Sequence, residues 1–209
     1  MTIWDTIYKN KTKNGNTWAA PSDRFQPLFQ HFLKESNFEI KHALDIGCGI
    51  GKYLKILQSE GFKTDGVDSS ETAVKMAEEL LGGDSVVFCA DMFEFEIPEN
   101  KYDLVISILT IHHGNKEQIQ NLIDKIHEAL AKDGKIFITL PDFKSNEKCG
   151  ALKDYEKIAE GTYVPLTGPE KGLPHSFYTE AGIKNLFSEF KNLKLNLDDQ
   201  GDWVVRAEK

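Results

Sequence analysis

The stretch Leu44-Asp45-Ile46-Gly47-Cys48-Gly49-Ile50-Gly51-Lys52 decides how this chain of 209 residues is read. It sets three glycines at alternate positions after a strand-like run, HALDIG, that begins at His42. Glycine at such a turn tolerates positive φ and lets a ligand approach the backbone closely. The spacing G-x-G-x-G departs from the G-x-G-x-x-G of dinucleotide-binding turns, because Lys52 stands in the place of the third glycine. A phosphate loop, G-x-x-x-x-G-K-[ST], is excluded as well, since Lys52 is followed by Tyr53.

Electrostatics narrows the choice of ligand further. Asp45 lies in the same turn, and a carboxylate there repels a pyrophosphate by ~1 kcal/mol or more at short range. It suits a ligand carrying positive charge. S-adenosylmethionine has an ammonium and a sulfonium and no phosphate, so the turn favours it over a nicotinamide dinucleotide or a nucleoside triphosphate.

Working outward, short apolar runs alternate with helical patterns. Ser22 to Ser36 places Phe25, Leu28, Phe29, Phe32 and Leu33 at helical spacing, with Ser22 or Asp23 as its cap. Lys52–Glu60, Glu71–Leu81 and Glu117–Leu130 read as helices. KTDGVD, SVVFCAD, YDLVIS and KIFITLPD read as strands. Leu193–Leu197 and Trp203–Ala207 alternate like two more strands joined by a tight turn, and so pair antiparallel. The expected fold is α/β: a single doubly wound, mostly parallel seven-stranded sheet of Rossmann-like type, ending in an antiparallel hairpin. Residues 1–209 form one domain in this reading. Residues 1–21 are an N-terminal arm or lid, 22–141 the cofactor-binding core, 142–178 a substrate-side insertion with one helix near Leu152–Ala159, and 179–209 a C-terminal helix and hairpin.

Composition sets the class. The formal net charge of −8 argues against a nucleic-acid partner, which needs clustered Lys and Arg. Cys48, Cys89 and Cys149 form no paired motif and read as reduced thiols. No apolar run approaches membrane-spanning length and the first residues lack a signal-peptide core, so no membrane partner and a cytoplasmic location are expected.

The run D-x-G-x-G-x-G from Asp45 resembles the first motif of the class I S-adenosylmethionine-dependent methyltransferases, and further features match in order. Asp68 ends the second strand, where the resemblance implies an acidic residue on the ribose hydroxyls, with Ser69 beside it. Asp91 and Met92 follow the third strand, where it implies contacts to the adenine. Ser107 ends the fourth, near the methionine portion. LAKDGKIFI is similar to the family's turn before strand five, with Ala131 and Asp133 departing from the usual Lys and Pro. The resemblance covers residues ~40–140. It implies S-adenosylmethionine as cofactor, held by Asp45, Gly47, Gly49, Gly51, Asp68, Ser69, Asp91, Met92 and Ser107. It also implies transfer of a methyl group to a small molecule.

On the acceptor side, Thr110-Ile111-His112-His113-Gly114 follows the fourth strand. His112 and His113 are the catalytic candidates, as acceptor-binding groups or as a general base, with a purely structural His as the other reading. Adjacent histidines point apart in a strand or a helix, and no H-x-x-x-H spacing occurs, so no metal site is expected. The stretch from Gly161 to Phe187 is similar to small methyltransferases of the tellurite-resistance group. His175 and Tyr178 are placed at the pocket mouth, Phe177 is read as packing, and Trp4, Tyr8 and Trp18 are read as closing over the ligands. The rivals are an NAD(P)-dependent oxidoreductase, a non-catalytic adenosylmethionine-binding protein and, among methyltransferases, a protein or RNA substrate. The expected partner is a small methyl acceptor, and monomer or homodimer is left open.

Overall fold

The alternating apolar runs fold as a parallel sheet covered on both faces by helices. A computed structural model describes residues 2–14, 23–148 and 150–209. Along the chain, α1 (Ile3–Asn14) and α2 (Gln26–Glu35) precede β1 (His42–Ile46), α3 (Lys52–Ser59), β2 (Lys63–Asp68), α4 (Glu71–Leu81) and β3 (Ser85–Cys89). Next come β4 (Tyr102–Ser107), α5 (Lys116–Ala129), β5 (Leu130–Pro141), α6 (Phe143–Lys148), β6 (Tyr155–Ala159), β7 (Thr162–Pro165) and β8 (His175–Ser176). The chain closes with α7 (Glu180–Leu186), β9 (Lys191–Leu197) and β10 (Asp202–Glu208).

Seven strands form the main sheet in the order β3-β2-β1-β4-β5-β10-β9. The strands from β3 to β5 run parallel, and β10 and β9 add antiparallel to the edge. Order reverses between β1 and β4, and a crevice opens outside the carboxyl ends of strands at such a point. Every residue of β1 and β4 is buried, which explains why they read as continuous apolar runs rather than alternating ones.

Alternate residues feed two cores. Leu44, Ile46, Val105, Ile136, Ile138 and Val205 pack with the apolar faces of α5 and α7. Ala43, Leu104, Ile106, Phe137 and Val204 pack on the other side with Phe29, Phe32, Tyr53 and Leu57 from α2 and α3. Asn115 and Gln118 close a reciprocal capping box on α5, and Thr179 caps α7 through the Gly182 N–H at 3.2 Å.

The sequence expectations need correction in three places. Asp23 does not cap α2; it opens a short 3-10 turn, α2 begins without a side-chain cap, and Ser22 lies outside the described residues. β5 begins at Leu130 rather than Lys135. The helix expected near Leu152–Ala159 is instead a 3-10 turn followed by β6, because Tyr155–Ala159 finds a hairpin partner in β7. With β8, these strands form a second, three-stranded sheet. It is stitched to the segment after β4 by Ser176, whose N–H donates to the His112 carbonyl (2.9 Å) and whose hydroxyl donates to the Gly114 carbonyl (2.8 Å). No helix among the described residues is long and apolar enough to cross a membrane.

α1 is clasped to the start of α4. The buried Asp5 carboxylate accepts from the Thr72 N–H (3.1 Å) and hydroxyl (2.8 Å), and pairs with Lys9 at 2.7 Å. A carboxylate at a helix N-terminus is also favoured by the helix dipole. Lys9 and then Thr72 hold this carboxyl well below its usual range. Because folding lowers it, its stabilising contribution is complete above about pH 4 and fades as pH falls toward the folded value. Asp5→Asn is therefore expected to be less stable than wild type at neutral pH. The gap should narrow steadily below about pH 4 in urea unfolding curves. A gap that stays constant down to pH 2.5 would contradict the clasp.

Candidate active site

The crevice outside β1 and β4 is a cavity of about 730 Å³, within the size range of small-molecule sites. Its floor is the glycine turn. Gly47 adopts φ +73°, and a Cβ there would overlap the Thr110 side chain from beyond β4. At Gly49, with φ +53°, a Cβ would come within 2.7 Å of the Tyr8 hydroxyl. The turn is thus glycine because two other segments close down on it. Gly51 has a different task from the one expected. It does not line the cavity, and a Cβ there would press on Ala77 and Leu81, so its smallness serves the packing of α3 against α4.

Two acidic side chains stand over this floor. Asp68, at the end of β2, accepts from the Gly49 N–H (2.9 Å) and the Ser70 N–H (2.9 Å), so one carboxylate ties the glycine turn to the next strand. Asp45 is 2% exposed and lines the same space. Burial, and then the charge of Asp68, push the Asp45 carboxyl well above its usual range. Burial also raises Asp68, against the pull of its two backbone donors. No Lys or Arg is among the described residues that line the cavity. A cationic ligand would supply the positive charge that these lining residues do not.

Ser69, Asp91 and Met92 line the same cavity. Asp91 is exposed and accepts from the Phe93 N–H at 2.9 Å, which sets the turn after β3. Ser107 departs from expectation. It is fully buried and donates to the Ile46 carbonyl at 2.8 Å, joining β4 to β1, while Ile108, Leu109 and Thr110 form the wall.

The other end of the cavity gathers His112, His113 and His175 with Glu170, Tyr155 and Phe177. The expectation that His112 and His113 point apart is overturned. Their ring centroids lie 3.9 Å apart, because residues 110–114 form a tight turn to which neither the strand nor the helix period applies. β8 brings in His175, whose ring centroid is 4.7 Å from that of His113. Burial lowers His112 well below the ordinary imidazole range. Burial lowers His113 too, with Glu170 pulling the other way. Burial raises Glu170, but its contacts with His113 and His175 outweigh this and bring its carboxyl down to about 2.

Phe177 and Tyr178 exchange the roles expected of them. Phe177 lines the cavity, whereas Tyr178 is absent from its lining and packs in the core beneath the Lys116 ammonium, 4.9 Å from its ring centre. In an extended segment, neighbouring side chains face opposite ways. Trp4 and Tyr8 of α1 roof the cavity, and Trp4 meets the His113 ring edge-on at 4.8 Å. Trp18 and Cys149 lie outside the described residues. The sequence reading missed Glu170 and Tyr155. A lone acid five residues before His175 in a proline- and glycine-rich loop was the available signal.

Comparison with known proteins agrees with this geometry. A family model described as a methyltransferase domain matches residues 43–134. Phosphoethanolamine N-methyltransferase of Plasmodium falciparum is 34% identical over 155 residues, covering 72% of this chain and 56% of that protein. The rat mitochondrial protein named arginine-hydroxylase NDUFAF5 is 33% identical over 185 residues, covering 81% of this chain and 51% of its own length. The chain thus spans about half the length of these curated relatives. Among solved structures, the N-methyltransferase NodS of Bradyrhizobium japonicum superposes with a TM-score of 0.69 at 14% identity, covering 100% of this chain and 99% of that one. None of these three is a tellurite-resistance protein. With a methyltransferase-domain match that begins at residue 43 and takes in the turn that holds Asp45, Gly47 and Gly49, the chain carries a methyltransferase domain of the class I S-adenosylmethionine-dependent type.

Proposed function

We propose that this protein transfers the methyl group of S-adenosylmethionine to a small molecule bearing an amine or hydroxyl nucleophile, releasing S-adenosylhomocysteine. The observation that carries the reading is the division of one cavity into an end walled by Asp45 and Asp68 and an end walled by three histidines. The acidic end suits the ammonium and sulfonium of the cofactor. Asp68 faces the ribose hydroxyls in this reading, and Asp91 and Met92 the adenine.

Displacement at a sulfonium needs alignment of the nucleophile and exclusion of water. α1 and the small sheet β6–β8 cover the cavity and serve both needs for an acceptor small enough to fit beneath them. A lining without Lys or Arg offers nothing to a nucleic-acid backbone. The name of the Plasmodium relative refers to an amine acceptor, which supports the amine arm of the proposal. The oxidoreductase reading loses ground because two buried acids face the place where its pyrophosphate would lie.

Turnover is the direct test. A panel of amines, phenols, carboxylates and thiols incubated with the cofactor is expected to yield S-adenosylhomocysteine with an amine or hydroxyl member. Removing residues 1–20 should cut that turnover by removing Trp4 and Tyr8 from the roof. Full activity of the truncated protein would reject the lid.

Asp68→Ala is expected to weaken cofactor binding by ~1–3 kcal/mol through lost charge-assisted hydrogen bonds. Unchanged calorimetry would refute the ribose assignment.

A third outcome follows from the raised carboxyls. A cationic ligand lowers them again, so binding should expel a proton. Affinity should then rise with pH above the ordinary carboxyl value of about 4, up to the titration of the ligand's own ammonium at about 8. Calorimetry in two buffers of different ionisation enthalpy counts that proton. A count of zero with flat affinity would overturn the electrostatic account.

A further inference from the structure

Among the described residues, His112, His113 and His175 each offer one ligating atom, and these atoms all lie within 4.8 Å of one another. All three side chains are buried and all face the cavity. The hydrogen bonds around them define a problem. His113 Nδ1 lies 2.8 Å from the Thr110 carbonyl, and His175 Nδ1 lies 2.9 Å from the Leu173 carbonyl. A carbonyl only accepts, so both Nδ1 atoms carry the proton. In the neutral rings, each Nε2 then presents a lone pair.

Those lone pairs face Glu170. Its carboxylate oxygens lie 3.5 Å from His113 Nε2 and 3.0 Å from His175 Nε2. Acceptor against acceptor is repulsive unless a proton or another cation stands between them, and a single imidazolium at His175 satisfies the 3.0 Å contact while leaving the other unmet. Protonating both rings would set two imidazoliums side by side in a buried site against one carboxylate, with the His112 ring tilted against the first at 3.9 Å. His112 Nδ1 meanwhile is buried without a hydrogen-bond partner. One divalent cation would answer each of these needs. A histidine whose Nδ1–H is fixed on a backbone carbonyl, leaving Nε2 for the ion, is the usual second layer of a metal site.

We infer that His112, His113 and His175, with Glu170 beside them, form a binding site for a divalent first-row transition ion at the acceptor end of the cavity. Three imidazoles suit zinc, with an open position on the cavity side. Tetrahedral Zn–N bonds of about 2.0–2.1 Å bring the nitrogens to about 3.4 Å from one another, a closure reached by side-chain rotation. The ion would be the positive centre that the lining otherwise lacks. It selects acceptors with an oxygen or nitrogen donor able to take the open position. This choice of acceptor rests on the methyl-transfer reading, whereas the metal site stands independently of it.

Tag-free protein stripped with a chelator and titrated with Zn²⁺ is expected to bind one equivalent with a dissociation constant of about 1 µM or below. His175→Ala and His113→Ala should weaken binding on the order of a hundredfold or more, and Glu170→Gln by about 10- to 100-fold. Asp68→Ala should lose cofactor affinity and keep the ion, which separates failure of the metal site from failure of the methyl-transfer reading. Wild-type protein that binds no Zn²⁺, or a His112/His113/His175 triple alanine variant that binds it equally well, would overturn the proposal. Should the variants fail to fold, X-ray absorption of the zinc-loaded wild type decides. Three imidazole nitrogens are expected around the ion, and fewer than two would reject the site.

Discussion

Two buried carboxylates, with no Lys or Arg beside them among the described residues that line their cavity, are the constraint around which this molecule is built. Removing an ionised carboxylate from water costs several kcal/mol unless charge or hydrogen bonds replace the solvent. Asp68 recovers part of that cost from the Gly49 and Ser70 N–H groups, and Asp45 stays raised. The fold tolerates the strain because everything around it is over-determined. β1 and β4 are buried on both faces, and Ser107 ties the end of β4 to the end of β1. A local violation of burial rules inside an otherwise consistent structure marks a binding site rather than an error of packing.

The same logic explains the glycines. Gly47 leaves room for Thr110, and Gly49 leaves room for Tyr8, so the turn is the meeting place of β1, the segment after β4 and α1. Gly51 leaves room for α4. One motif in the sequence therefore serves two ends: its first two glycines shape the ligand floor, and its third sets helix against helix. A residue-by-residue carry-over from a family motif does not separate these tasks, because spacing alone says where glycine is needed and not what presses on it.

Much of the fold was legible for simple reasons. Strands with period two and helices with period 3.6 each carry their own pattern, and Glu71–Leu81 and Glu117–Leu130 emerge within one residue of their observed bounds. The positions of Asp45, Asp68 and Asp91 were legible because each lies in or just after the end of a strand of recognisable pattern. What escaped depends on partners distant in the chain. Tyr155–Ala159 has helical spacing but pairs with β7, and tertiary pairing overrides local preference. Phe177 and Tyr178 exchanged places because a one-residue error in an extended segment reverses which side faces inward. Glu170 drew no attention, since nothing local distinguishes an acid that meets His113 across 57 residues of chain from one that meets water.

Both ends of the cavity call for positive charge, but of different kinds, and this bears on how such a site works. At the β1–β2 end, no Lys or Arg among the described lining residues answers the two acids, and a sulfonium nucleoside would. At the β8 end, lone pairs converge on a carboxylate, and only a cation or protons relieve them. Thr110, Ile108 and Leu109 line the same cavity, and Trp4 meets the His113 ring edge-on. A sulfonium loses its charge when its methyl group leaves, so the field of Asp45 and Asp68 favours binding of the donor over its product. A positive centre at the far end would draw in an electron-rich acceptor without pulling the donor away from the acids. On the proposed reading, such a division of charge would help to set donor and acceptor in the alignment that an in-line displacement requires.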